Sequence, residues 1–213
     1  MSGITVIGGT GYAGSSIVKE AAARGHEVTA LSRKAPAEPV EGVRYVQGSA
    51  DAAEELVSEA DVIVGALSPR AGSEGTLVET YTKLAERAAS SGARLIVIGG
   101  FGSLRPAPGA PRFAEGDAMP PAFLPEASEM ASVLGMLERD APASLDWVFI
   151  SPAASFGAFA PGERRGVYRS SVGGIAVFDR EGPSAIGGED FAIAVVDEIE
   201  KGAHRRAHLH FAY

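Results

Sequence analysis

The most chemically pointed feature of the sequence is the run Gly8-Gly9-Thr10-Gly11-Tyr12-Ala13-Gly14, in which Gly8, Gly11 and Gly14 are spaced three apart. A tight turn needs a residue without Cβ at Gly8, close approach of a pyrophosphate needs one at Gly11, and packing of a helix on a strand favours one at Gly14. A helix opening at this point offers free N–H groups and a positive dipole end to phosphates. Gly8, Thr10, Gly11, Tyr12, Ala13 and Gly14 are therefore expected to hold the phosphates of a dinucleotide. A second cluster, Ser32-Arg33-Lys34, stands where an NAD-specific site places an acid for the ribose 2′-hydroxyl. A hydroxyl and two cations there suit a 2′-phosphate, which predicts NADP(H) in preference to NAD(H).

Other reactive side chains are sparser. Ser103, after a glycine turn, is the weak candidate for a catalytic role, although such a serine also serves as a local backbone cap. His208 and His210 share one face of the last apolar run; with no neighbouring acid to complete a ligand set, they are expected to be edge-strand surface, and no metal is predicted. Arg164, Arg165 and Arg169 form either a solvated cluster or an acceptor contact, and Glu189 and Asp190 read as first-turn acids complementing a helix dipole.

The elements that must position these groups follow from hydrophobic patterning. Ile4 to Ile7, Val28 to Leu31, Val43 to Val46, Val62 to Leu67, Leu95 to Ile98 and Trp147 to Ile150 are short apolar or β-branched runs suited to a parallel sheet covered on both faces. Helices alternate with them: Ser15 to Arg24 stopped by Gly25, a short one opened by Asp51 and Glu54 as an acidic capping box, Leu77 to Ala88 ended by Gly92, Glu126 to Arg139, and one carrying Phe191, Val195, Val196 and Ile199. A final strand is expected from His208 to Tyr213. This alternation implies an α/β fold, a Rossmann-type doubly wound parallel sheet, with residues 1–213 forming a single domain. Two stretches break the pattern, 105–125, rich in proline and alanine, and 151–188, rich in glycine and turn residues. Both follow strand ends on the ligand side, so both are expected to be short substrate-covering segments.

Composition narrows the field. The chain has 213 residues, a formal charge of -8 and no cysteine. The charge argues against nucleic-acid and anionic-membrane partners, and the missing cysteine removes thiol nucleophiles, disulfides and cysteine-ligated zinc. Without a basic leader or a long apolar stretch, a cytoplasmic location is the expectation.

The sequence resembles the atypical short-chain dehydrogenase/reductase group, the small NAD(P)H-binding proteins related to flavin/biliverdin reductases and to NmrA-like regulators. The likeness rests on the glycine loop, on 61–68, on Ile98-Gly99-Gly100-Phe101-Gly102-Ser103-Leu104, on 145–152, and on Gly188-Glu189-Asp190-Phe191-Ala192. It implies adenosine contacts near Ser32, Arg33 and Gly48, and nicotinamide-side contacts near Ala66, Leu67, Ser68 and the turn from Gly99 to Ser103. The wider superfamily uses a tyrosine with a lysine four residues on for proton transfer. Here Tyr12, Tyr45, Tyr81 and Tyr168 are followed by Ser16, Ser49, Ala85 and Val172, Tyr213 is the last residue, and no lysine lies between Lys83 and Lys201. The expected chemistry is hydride transfer to a small acceptor such as a flavin or quinone, in an apolar cleft walled by Phe101, Phe123 and Phe156. The alternative is a non-catalytic NADP(H)-sensing module.

Overall fold

The computed structural model describes every residue except 71, 118, 180, 181 and 183, and describes only the backbone of 51, 52, 54 and 55. The Asp51–Glu54 capping box thus falls on side chains outside the described residues.

Chain order is β1 (Gly3–Ile7), α1 (Tyr12–Ala23), β2 (Glu27–Ser32), β3 (Arg44–Gln47), α2 (Glu54–Ser58), β4 (Val62–Gly65), α3 (Leu77–Ser91), β5 (Arg94–Ile98), α4 (Leu124–Arg139), β6 (Trp147–Ser151), β7 (Arg169–Val172), α5 (Gly188–Lys201) and β8 (Ala207–Ala212). Among the described residues these strands form one eight-stranded sheet in the order β3-β2-β1-β4-β5-β6-β8-β7. Every pairing is parallel except that of β7 with β8. The order runs outward from β1 to β3 on one side and from β4 on the other, so the switch point falls between β1 and β4, where a Rossmann-type sheet opens its ligand crevice.

Strand alternation divides the apolar residues between two cores. Ile4 and Val6 face α1 and α5, packing with Ile17, Phe191 and Val195, whereas Ile7, Ile63 and Leu95 face α2, α3 and α4. Both faces are therefore covered, as the unbroken apolar strands require.

The structure departs from expectation at the outer edge of the sheet. β7 lies inside the 151–188 segment and carries Arg-Ser-Ser-Val, with three of its four residues exposed, so no apolar periodicity announces it. Because β7 closes the outer side of β8, His208 and His210 are interior: His208 is 7% exposed and His210 0%. They are not edge-strand surface. Among the described residues no group of three or more His, Asp or Glu is placed to hold a metal, and no helix is long and apolar enough to cross a membrane.

The 151–188 segment is strapped down by Asp190 in the first turn of α5. Its carboxylate, fully buried, accepts the N–H groups of Arg165 and Gly166, each at 2.8 Å, and the Tyr213 hydroxyl at 2.6 Å. The three arginines of this segment also serve as anchors. Arg164 pairs with Glu20 at 2.9 Å, the Arg165 guanidinium sits 3.9 Å from the centre of the Tyr213 ring, and Arg169 holds the Tyr213 carbonyl and, at 3.4 Å, Asp179.

Candidate functional site

The glycine loop joins β1 to α1 at the switch point, and two of its three spaced glycines are required by what surrounds them. Gly8 has φ +87°, and a Cβ there would stand 2.4 Å from the Ala66 carbonyl oxygen beyond β4. A Cβ on Gly14 would come within 2.2 Å of the Gly8 carbonyl oxygen, so α1 sits this close to the loop only with hydrogen at that position. A Cβ on Gly11 would meet only the Gly8 carbonyl, at 3.3 Å. The space above Gly11 is open on the ligand side.

The loop spends its own first donors internally: Gly8 and Gly9 N–H bond the Leu31 carbonyl, Gly11 N–H bonds that of Gly8, and Thr10 N–H bonds the Ser32 hydroxyl oxygen at 3.0 Å. What remains is the first turn of α1. Tyr12, Ala13 and Gly14 have no intrahelical acceptor, Gly11 supplies no side-chain cap, and the turn contains no acid. The N–H groups of Tyr12 and Ala13, with that of the buried Gly14 behind them, and an uncompensated positive dipole end therefore lie at the exposed Gly11, a donor set suited to a pyrophosphate.

At the end of β2, Arg33 and Lys34 are exposed, while Ser32 is buried beneath the loop. Ser32 thus supports the loop through Thr10 and keeps its hydroxyl proton to donate. A cleft of about 550 Å³ opens beside Gly9 and Thr10, bounded by Lys19 on α1, Tyr45, Arg164 and the stretch from Pro36 to Val40.

The other positions expected at the site lie along the same strand ends, but most of their N–H groups are already used. Gly48 donates to the Ser32 carbonyl, Ala66 to Ile7, Leu67 to the Tyr81 hydroxyl and Gly99 to Ile150. What they leave at that edge is shape and carbonyl oxygens. Ser68 is exposed just past them. Tyr81, in turn, donates to the Gly65 carbonyl at 2.9 Å, which ends β4 at Gly65, short of the expected Leu67. Gly99 is fixed by packing, since a Cβ there would fall 2.0 Å from the Phe149 ring.

The structure does not bring Phe101, Phe123 and Phe156 together. Phe156, within the 151–188 segment, lies against Tyr12 and Phe191, and Phe123 is 54% exposed at the start of α4. Phe101 instead stacks on Phe113, with ring centres 4.7 Å apart, and Phe178 stands edge-on to both. The segments 105–125 and 151–188 meet here, and they are joined by backbone bonds from Arg105 N–H to Gly174 and from Ala176 N–H to Arg105. Sequence reasoning missed this pairing, because nothing local to Phe113 or Phe178 marks it.

Ser103 is fully buried and its hydroxyl has no hydrogen-bond partner, while its carbonyl accepts Arg112 at 2.9 Å. Arg112 in turn holds Glu138 through both carboxylate oxygens. Tyr12 reaches the other way: its hydroxyl donates to the Pro161 carbonyl and accepts Gly188 N–H at 3.1 Å, tying the glycine loop to the 151–188 segment and to α5.

A doubly wound sheet with an uncapped glycine-loop helix at its switch point defines a dinucleotide-binding protein of the short-chain-dehydrogenase type. Comparison with known proteins agrees. Residues 8–173 match the NAD(P)H-binding family, and the chain belongs to it. An uncharacterized protein of Bacillus subtilis, YwnB, is 34% identical over 205 residues, 95% of this chain and 94% of that one. Among solved structures, a candidate exported protein from Burkholderia pseudomallei superposes with a TM-score of 0.86 at 35% identity, over 100% of both chains. A candidate NADH-flavin reductase from Streptococcus pneumoniae superposes with a TM-score of 0.84 at 30% identity, over 100% of this chain and 99% of the other.

Proposed function

We propose that this protein is an NADP(H)-dependent oxidoreductase that passes hydride to a small flat acceptor such as a flavin or quinone. The observation that carries the reading is the uncapped, acid-free first turn of α1 at the switch point, with Arg33 and Lys34 beside it at the end of β2. In this reading the N–H groups of Tyr12, Ala13 and Gly14 hold the pyrophosphate, Arg33, Lys34 and the Ser32 hydroxyl receive the 2′-phosphate, and Gly48 borders the adenine. Ala66, Leu67, Ser68 and Gly99 floor the nicotinamide half. Bound NADPH supplies the hydride. A flavin or quinone takes its accompanying proton from water, so the missing tyrosine-lysine pair costs nothing, and the protein's work is positioning. The segments 105–125 and 151–188, joined through Phe101, Phe113 and Phe178, cover the acceptor. The Streptococcus pneumoniae neighbour supports this choice of acceptor.

Steady-state oxidation of NADPH against a panel of flavins, quinones and carbonyls tests the reaction. Turnover with a flavin or quinone is the expected result. Tight NADPH binding with no turnover on any acceptor would overturn it in favour of the NADP(H)-sensing module.

Cofactor choice is tested separately with Arg33→Ala. Loss of a charge-assisted contact to phosphate should weaken NADPH by about 1.5–3 kcal/mol, roughly tenfold to more than a hundredfold. NADH, which offers no phosphate there, should bind as before. The turn itself should persist, because the Gln47 side chain holds the Arg33 backbone carbonyl, which alanine keeps. Calorimetric titration with both nucleotides decides the matter, and equal weakening of both would refute the assignment.

A further inference from the structure

Between the C-terminal end of β6 and the start of β8 lies a buried polar chain outside the cofactor contacts assigned above. Ser151, the last residue of β6, is fully buried, and its hydroxyl is 2.9 Å from both the Gly100 carbonyl oxygen and His208 Nε2. Ser151 has one proton and Gly100 can only accept. All three groups are satisfied in one arrangement: Nε2–H of neutral His208 donates to the Ser151 oxygen, and the Ser151 hydroxyl donates to Gly100. The imidazole is held in place from two sides, by the Phe149 ring edge-on at 5.2 Å and by the Gly174 backbone, where a Cβ would fall 2.2 Å from Nδ1.

The Gly100 carbonyl also accepts Ser103 N–H at 3.2 Å, so two donors fix its direction toward β6. In a trans peptide the following N–H points the opposite way. Gly100 follows the end of β5, which lies between β4 and β6 in the sheet, so this peptide stands between the Ser151 hydroxyl and the crevice at the end of β4. We infer that Ser151 and His208 are positioning residues: through the Gly100 peptide they set the wall against which the nicotinamide ring rests, and so which face of the ring is turned to the acceptor. This rests on the reading that the nicotinamide half lies over the ends of β4 and β5.

The test compares wild type, Ser151→Ala, Ser151→Thr and His208→Gln by two measurements. The first is the emission of bound NADPH, which reports the surroundings of the reduced ring and needs no turnover. The second is the transfer of label from NADPH deuterated on one or the other face of the nicotinamide. In Ser151→Ala the dissociation constant, set by the distant adenosine phosphates, should change less than about threefold, while the bound-state emission moves toward that of free NADPH and label transfer loses its strict preference for one face. His208→Gln should move both in the same direction, and Ser151→Thr, which keeps the hydroxyl, should restore them. Wild-type emission and stereospecificity in a folded Ser151→Ala protein would overturn the inference. So would a threonine variant that behaves as alanine does while melting as wild type does. Should wild type bind NADPH and turn over no acceptor, the oxidoreductase reading falls and the emission comparison alone still decides the roles of Ser151 and His208.

Discussion

Replacing Gly14 by alanine should lower NADPH affinity by on the order of a hundredfold and destabilise the fold, whereas alanine at Gly11 should remove binding at a smaller cost in stability. The two glycines differ in what surrounds them. At position 14 the new methyl would stand 2.2 Å from the Gly8 carbonyl oxygen, 2.9 Å from its carbon and 3.0 Å from the Gly9 Cα, all backbone atoms that cannot rotate away. α1 must then back off from the glycine loop by about an ångström, taking the Tyr12 and Ala13 N–H groups with it. Alanine gains up to about 1 kcal/mol of helix propensity over glycine, but overpacking of this kind costs about 1–3 kcal/mol, so a net loss is expected. At position 11 the methyl has one neighbour, at 3.3 Å, and occupies the approach to the first turn of α1. Thermal melts and NADPH titrations of both variants separate the effects. An unchanged affinity in Gly11→Ala would remove the pyrophosphate from this turn.

Acid should destabilise the protein well above the range where carboxylates titrate. His208 is held down to about 3, chiefly by burial and then by the positive charges of Arg112 and Arg105 and by His210. In the unfolded chain the same imidazole titrates near 6.5. Above that pH neither state carries the proton, and the contribution of His208 to stability is complete. Below it the unfolded chain binds a proton that the folded chain refuses, so stability falls by about 1.4 kcal/mol per pH unit until the folded value is reached. Between pH 6.5 and pH 4 this amounts to about 3 kcal/mol. His210, lowered by the same burial, adds to the slope. Asp197, held at about 2 despite partial burial by Lys201, Arg24 and Tyr168, loses its contribution only as pH falls below 4, outside this window. Denaturant unfolding at intervals from pH 7 to pH 4 measures the slope, and His208→Gln should reduce it by one proton. The same slope in both proteins would show that His208 is not the group responsible.

The glycine loop, the strand-helix alternation and the Ser32-Arg33-Lys34 cluster were legible in the amino-acid sequence because each is set by neighbours within a few residues. Glycine spacing encodes the turn, β-branched runs encode buried parallel strands, and a cation after β2 needs no distant partner to be noticed. The sequence therefore determined the doubly wound sheet and the place of its crevice. It could not determine β7, whose exposed residues carry no apolar period, and with β7 hidden it could not bury His208 and His210. Nor could it join Phe101 to Phe178, or Ser151 to His208 across 57 positions of chain. These contacts exist only once β6 and β8 lie side by side and the segments 105–125 and 151–188 pack against each other. Local propensity acts within a turn or a strand, whereas burial, and the protonation and pairing that follow from it, is fixed by whatever the completed sheet places alongside.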